Sequence, residues 1–448
     1  MSSSQQAMSF PLLSRKPLQV DFTGGLLSSD GGLLLLAPLD QKLRLTQRVA
    51  ACLQDRRLKE RIHHPLLDLL RQRIYQIAAG YEDANDATAL RADPALKVAV
   101  GRCPTSDADL ASQPTLSRLE KVVTSAESQA INALFLNLFL EQERNAPREL
   151  ILDFDTSAFP THGQQEFAFF NAHYDNYCYL PLFVFASAVG KSQEYLVSAE
   201  LRPSDAKEVE GILATLKRLV ERIRQQWPKT KLIFRGDGWF ATPELYEWCE
   251  SHEVASILGI AGNRVLHEKS ERWQKEALAL ASTSPTKSAR RYGRFSYQAG
   301  GWSREREVIV KAEVTALGKN PRYVVVWGVK GKPKRLYARY GQRGNCENRI
   351  KEIKEGVRAD RMSCHEWEGN EFRLMLGCVA YQLFVGLRRL AKGTELARAQ
   401  VEKLRLAVIK IGARVTESLR RVTIELCSSC PSQAVWRALA RRLGIAPS

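Results

Sequence analysis

The chain has 448 residues, with 66 Lys+Arg against 49 Asp+Glu, a formal charge of +17, and 44% hydrophobic and 26% charged residues. That balance excludes a disordered or collagen-like chain, and the length leaves room for roughly two to four domains at ~150 residues each. No apolar run reaches the ~20 residues a membrane helix needs, and the Ser/Gln-rich start lacks the basic-then-apolar order of a signal peptide, so a cytoplasmic protein with no membrane partner is expected. The surplus of +17 favours a polyanionic partner, most simply nucleic acid.

From about Leu43 to Glu143 the chain lacks strand alternation and carries helical patterns, such as His64 to Arg71 and Ser128 to Leu140. This predicts an all-helical N-terminal domain over 1–145. Within it, Ser112 to Lys121 begins like a capped helix with Pro114 early, a form compatible with a groove-reading helix that would carry Arg118 to DNA, or with an ordinary surface helix. Glu149 to Asp155 is an apolar run ending in acids, the pattern of a buried strand meeting solvent at its carboxyl end. Strands follow over Pro181 to Val189 and Glu194 to Leu201, a long amphipathic helix over Asp205 to Gln226, and a strand over Lys231 to Asp237. A helix over Pro243 to His252 and a strand from Val254 close the series. The order is that of a mixed α/β, ribonuclease H-like sheet, with 146–262 as its first part.

Residues 263–336 read as a β-rich insertion, loop-like at Ser282 to Lys287, with strands over Glu307 to Val314 and Tyr323 to Val329. Its Arg290 to Tyr297 mixture and Trp302 suit contact with nucleic acid. Helix is expected again from about Gln342 through Arg389, with 337–392 completing the core. A mainly helical C-terminal region, 393–448, has short strands over Leu404 to Arg414 and Val422 to Leu426 and a helix near Ser432 to Leu443. The nine scattered cysteines suit reduced thiols. Only Cys427 and Cys430 have metal spacing, and they lack the second pair a structural zinc requires.

Two divalent ions can stabilise the attacking and leaving oxygens of a phosphodiester together, and holding them takes several carboxylates at one rim. Asp155 and Asp237 stand at carboxyl ends of predicted strands, the edge where open α/β sheets form their sites. Asp153 is a rival for the first position. Tyr340, Arg343, Glu347 and Lys354 fall within roughly 60° of one another around a helix at ~100° per residue, so Glu347 is the third candidate ligand, with Arg343 and Lys354 beside it to grip phosphates. A solvated face with an Arg343/Glu347 ion pair has the same spacing.

The spacing Tyr340-x2-Arg343-x3-Glu347-x6-Lys354 resembles the Y-R-E-K signature of bacterial insertion-sequence transposases with an Asp-Asp-Glu site. The stretches from Val20 to Gly32, Arg71 to Asp86, Leu110 to Glu120 and Tyr177 to Phe185, with Arg235-Gly-Asp237, resemble more specifically the insertion-sequence 1380 family. The likeness departs at Thr156-Ser157-Ala158 and at Gly238-Trp239, where the family favours other residues. It implies a ribonuclease H-like core with Asp155, Asp237 and Glu347 as catalytic ligands of two Mg²⁺ (or Mn²⁺) ions, and a β-strand insertion between the second Asp and the Glu. It further implies a nucleoid-associated DNA transposase and endonuclease acting in DNA recombination. Such an enzyme cleaves the terminal inverted repeats of its own element, passes through a hairpin, and joins target DNA as a homodimer on double-stranded DNA. Tyr340, Arg343 and Lys354 would position the end phosphates, and Trp302 or Trp239 would stack on a flipped base, unless either ring simply packs. A metal-dependent nuclease or junction resolvase on the same fold, and a non-catalytic DNA-binding derivative, are the rival functions.

Overall fold

The computed structural model describes residues 8–9, 16, 18–143, 145–191, 193–205 and 209–445. The Ser/Gln-rich start and residues 206–208, in the first turn of the expected long helix, lie outside them. The chain packs as two compact units: Met1–Val122 with Gly356–Arg358 and Val379–Ser448, and Val123–Glu355 with Ala359–Cys378.

In the first unit, helices Leu33–Leu43, Leu45–Ala51, Leu66–Ala79, Pro94–Val100 and Gln113–Val122 bury leucine-rich faces. Buried Asp40 ties three of these together by accepting hydrogen bonds from the Thr46 amide and the Tyr75 hydroxyl, both at 2.8 Å. The strands Ala413–Ser418 and Arg421–Leu426 form a hairpin that pairs with Leu27–Ser28, and helix Gln433–Arg442 follows. The strand expected over Leu404 to Arg414 is instead a helical turn, Val401–Leu404, continued by a π-turn, Arg405–Ile409. Leu404 and Val408, four apart, are both buried, and the Arg405 guanidinium donates to the Ala78 carbonyl at 2.8 Å. The anchoring of the segment overrides its β-branched composition.

The second unit opens with helix α1, Ser125–Gln142, started by a Thr124/Glu127 capping box. Its strands are β1 Glu149–Thr156, β2 Leu182–Ala188, β3 Tyr195–Glu200, β4 Lys231–Gly236, β5 Ala255–Ile260, β6 Ala289–Tyr297, β7 Arg306–Thr315 and β8 Arg322–Trp327. They lie in the order β6-β7-β8-β5-β4-β1-β2-β3, nine-stranded among the described residues once the short Gly318–Lys319 strand beside β7 is included. β1, β4 and β5 run parallel, and every other neighbouring pair is antiparallel. α1 covers the β3 edge, where the Ala199 amide donates to the Asn132 side chain at 2.8 Å. Helices α2, Val209–Gln226, and α3, Pro243–Ser251, connect β3 to β4 and β4 to β5.

The segment read as an insertion begins with two helices, Arg264–Lys269 and α4, Glu271–Thr283. Its strands β6, β7 and β8 then continue the same sheet through the β8–β5 pairing. α4 lies on β6 because residue 293 is glycine: a Cβ there would sit 2.0 Å from the Trp273 ring. The helix expected from Gln342 through Arg389 is broken. α5, Pro333–Gly341, and α6, Gly344–Lys351, are separated at Gln342–Arg343. A π-turn at Glu352–Gly356 ends α6, and helix resumes only at Trp367–Leu390. Gly341 and Gly344 flank the break, as low helix propensity predicts. Among the described residues no helix is long and apolar enough to cross a membrane.

Candidate functional site

β1 and β4 are adjacent and parallel, with Asp153 directly across from Arg235. Two residues further along each segment, Asp155 is still on β1 and Asp237 lies just past the end of β4, so both stand at the carboxyl edge. Asp155 is nearly buried at 7% exposure, and the half-buried Asp237 caps the next turn by accepting from the Trp239 amide at 2.9 Å. Asp153 shares a face with Asp155 but is fully buried, and both its carboxylate oxygens accept from Arg235, one of them at 2.7 Å. That pairing keeps Asp153 from the rim.

α5 and α6 cross this face and are fastened to it by arginines. Arg339 pairs with Glu149 at 2.7 Å, Arg343 with Asp155 at 3.1 Å, and Arg349 with Glu194 at 3.3 Å and Glu352 at 2.6 Å. Arg343 also holds Glu347 at 2.5 Å, so one guanidinium bridges the first and third candidate acids. The Glu347 side chain is itself 52% exposed. Tyr340 packs against the apolar cluster of Ile151, Ile233, Ile257 and Leu336. Its hydroxyl reaches Gly259, where a Cβ would come within 2.4 Å, so glycine at the end of β5 is what admits it. Lys354, in the π-turn, donates to the Ala158 carbonyl at 2.6 Å just beyond β1.

The remaining sequence candidates are placed differently. Trp302 is 8% exposed, with Tyr246 and Tyr297 edge-on at 5.2 and 5.4 Å and Arg306 over its ring at 5.1 Å, which is a packing environment. Trp239 is 43% exposed beside Asp237, with the Arg202 guanidinium 5.6 Å from its ring. Arg118 is exposed on helix Gln113–Val122 of the other unit.

Burial pushes the Asp155 carboxyl up to about 7, against the pull of Arg343, and Asp237 and Glu347 add to the rise. The three acids are thus electrostatically coupled. Among the described residues, however, no three acidic, cysteine or histidine side chains stand close enough to grip a metal ion as they are. The donor set, oxygens only, fits a hard divalent cation.

A carboxyl raised in the folded state stabilises fully below its unfolded value of ~3.9, and that contribution is lost as pH rises through about 7. Asp155→Asn is therefore expected to stabilise the chelator-treated protein at about pH 8 by on the order of 4 kcal/mol, with the gain vanishing near pH 4. Thermal denaturation across that range checks it, and a pH-independent difference would contradict it.

Two features escaped the sequence reading. Arg235 is one, although a lone arginine in an apolar strand signals a buried acid partner. Tyr174 is the other: partial burial raises its phenol, and the charges of Asp155 and Asp237 add to the rise. Nothing in its local sequence marks that position.

The family model described as transposase DDE domain, group 1, matches residues 10–447. No curated protein matches the chain. A solved cryo-EM structure of a piggyBac transposase synaptic complex with hairpin DNA is similar at 11% identity and a TM-score of 0.40, covering 99% of this chain and 85% of that one. Matched over nearly its whole length, the chain belongs to the group 1 DDE transposase family and is an enzyme of that class.

Proposed function

We propose that this transposase cuts the ends of its own insertion sequence and joins them to target DNA, with Asp155, Asp237 and Glu347 as the acidic triad on a ribonuclease H-like core. The observation that carries the proposal is that Asp155, on β1, and Asp237, immediately after the parallel β4, each follow the Asp153–Arg235 pairing by two residues, with Glu347 joined to Asp155 through Arg343. Two parallel neighbours flanking the β4 strand, followed outward by antiparallel β2 and β3, support the core assignment.

In this reading the three carboxylates hold two Mg²⁺ or Mn²⁺ ions. Ions bound there would stabilise the attacking and leaving oxygens of a phosphodiester displacement. Asp155 supplies its oxygen from a rigid strand, and Glu347 brings its own from an exposed helical face. Arg343, freed from either acid, and Lys354 offer positive charge to the phosphates on both sides of the cut. Tyr340 fixes the start of this segment against Gly259. Arg118 and its exposed helix face are assigned to duplex binding in an N-terminal DNA-binding domain. Membership of the insertion-sequence 1380 family rests on the stretches from Val20 to Gly32, Arg71 to Asp86, Leu110 to Glu120 and Tyr177 to Phe185 with Arg235-Gly-Asp237, excision through a DNA hairpin rests on the Y-R-E-K spacing, and two ends imply at least two copies of the chain in the DNA complex.

Purified protein with Mg²⁺ and labelled element ends tests this. Hairpins or strand-transfer products are expected. Cutting without joining would make the protein a nuclease or resolvase, and a mobility shift without cutting would overturn the catalytic assignment.

A further inference from the structure

Between β1 and β2 the chain makes an excursion that the carboxylates do not require. A small sheet forms there from Phe159–Pro160, Phe169–Asn171 and Asn176–Tyr179, in the order of first, third and second strand. Within 167–177 five aromatic rings face outward: Phe167 at 56%, Phe169 at 40%, Phe170 at 53%, Tyr174 at 42% and Tyr177 at 56% exposure. Single exposed apolar side chains are ordinary, whereas five exposed rings within eleven residues, two of them paired, set this hairpin apart as a candidate binding surface.

The cluster is built and held. Phe170 and Tyr177 meet at 5.6 Å across the hairpin, and Phe167 stands edge-on to Trp367 at 5.5 Å. Phe167 and Asp175 adopt left-handed backbone at φ 57° and 51°, a conformation that persists in non-glycine residues only where surrounding contacts hold it. Those contacts include the Ser204 hydroxyl donating to the Phe169 carbonyl at 2.8 Å and the Asn171 amide donating to the Ser204 carbonyl at 3.1 Å.

Its position matters more than its composition. The hairpin is paired to the chain immediately after Asp155, through Phe159 and Tyr179. Lys354 donates to the carbonyl of Ala158, the residue just before the Phe159 that pairs with the hairpin. The Leu180 amide, next to the hairpin's last strand, donates at 2.8 Å to the carbonyl of Arg202, whose guanidinium lies over Trp239 beside Asp237. The ring-bearing hairpin and the cations Lys354 and Arg202 are thus tied to the segments that adjoin Asp155 and Asp237. Aromatic faces beside cations bind unpaired nucleotides by stacking, whereas a paired duplex hides its base faces.

We infer that the 167–177 hairpin is a stacking platform for unpaired bases of the DNA strand at the site of cleavage. The inference rests on the proposed function, since it takes the strand at the rim to be DNA. A second copy of this chain is the other occupant the rings would accept, and the test separates the two.

The test compares wild-type protein with a Phe170→Ala/Tyr177→Ala variant, both exposed positions, in binding to an oligothymidylate of about 12 nucleotides and to a blunt duplex of the same length. The variant is expected to bind the single strand about tenfold more weakly, or worse, with duplex binding and melting temperature unchanged. Equal single-strand binding by the two proteins overturns the platform. So does a DNA-free dimer that the variant dissociates while its single-strand affinity stays the same. The assay needs no cleavage, so a protein that binds the oligonucleotide through these rings but never cuts element ends would fell the proposed function and leave the platform standing.

Discussion

Glu347→Gln is expected to abolish cleavage of element ends, by on the order of a thousandfold or about 4 kcal/mol of barrier, while leaving DNA binding largely intact. The substitution keeps the shape of the side chain and removes the charge a hard cation needs. Its structural cost is small. The Glu347 side chain is 52% exposed, and among the described residues its only ion pair is with Arg343, four residues earlier on a helical surface. Such pairs contribute roughly 0.3–0.5 kcal/mol. Loss of activity therefore cannot be ascribed to unfolding, and a thermal melt matching the wild type is part of the expected result. Arg343 would remain paired with Asp155 at 3.1 Å, so the helix stays fastened to β1. Wild-type rates in the variant would remove Glu347 from the site.

Arg235→Leu is expected to destabilise the sheet-bearing unit by about 3–5 kcal/mol, measured as a shift of its denaturant midpoint. Asp153 is fully buried, and Arg235 is its bidentate partner. Burial raises the Asp153 carboxyl even with Arg235 present to oppose it. Without the guanidinium the carboxyl must take up a proton or remain as an uncompensated charge. The cost is thus expected to grow from about pH 5 to pH 8, as deprotonation is demanded of a site that resists it. Arg235 also donates to the Arg339 carbonyl, so the last turn of α5 loses an anchor. Joining Asp153→Leu to Arg235→Leu is expected to recover most of the loss, because apolar residues of similar volume often replace a buried pair at no cost. A single variant as stable as the wild type would show that the pair does not hold the sheet.

Much of the second unit was legible because buried strands advertise themselves. The apolar runs at Leu150 to Phe154, Leu182 to Ala188, Leu232 to Phe234 and Ala255 to Leu258 all became sheet strands, and the acids that end two of those runs stand at one edge. Periodicity failed where burial did not set the pattern. β6, with Arg290, Arg291 and Arg294 largely exposed, alternates too weakly to read as a strand, and its fit depends on Gly293 meeting Trp273. The break at Gln342–Arg343 was hidden because the Tyr340 to Lys354 stripe satisfies helical spacing across it. The hairpin at 167–177 was missed because exposed aromatic residues in a stretch containing Asn171, Asp175 and Asn176 resemble a loop. Asp153 and Asp155 were indistinguishable by spacing alone; a partner 82 positions away, Arg235, separates them.

The continuity of the sheet from β6 to β3 has a mechanical consequence. A load applied to the outer strands of the 289–327 segment has no flexible tether to relax into. It passes through the β7–β8 and β8–β5 ladders to β4 and β1, the strands that lead to Asp237 and Asp155. The far edge and the strands leading to the two acids therefore belong to one continuous ladder of backbone hydrogen bonds.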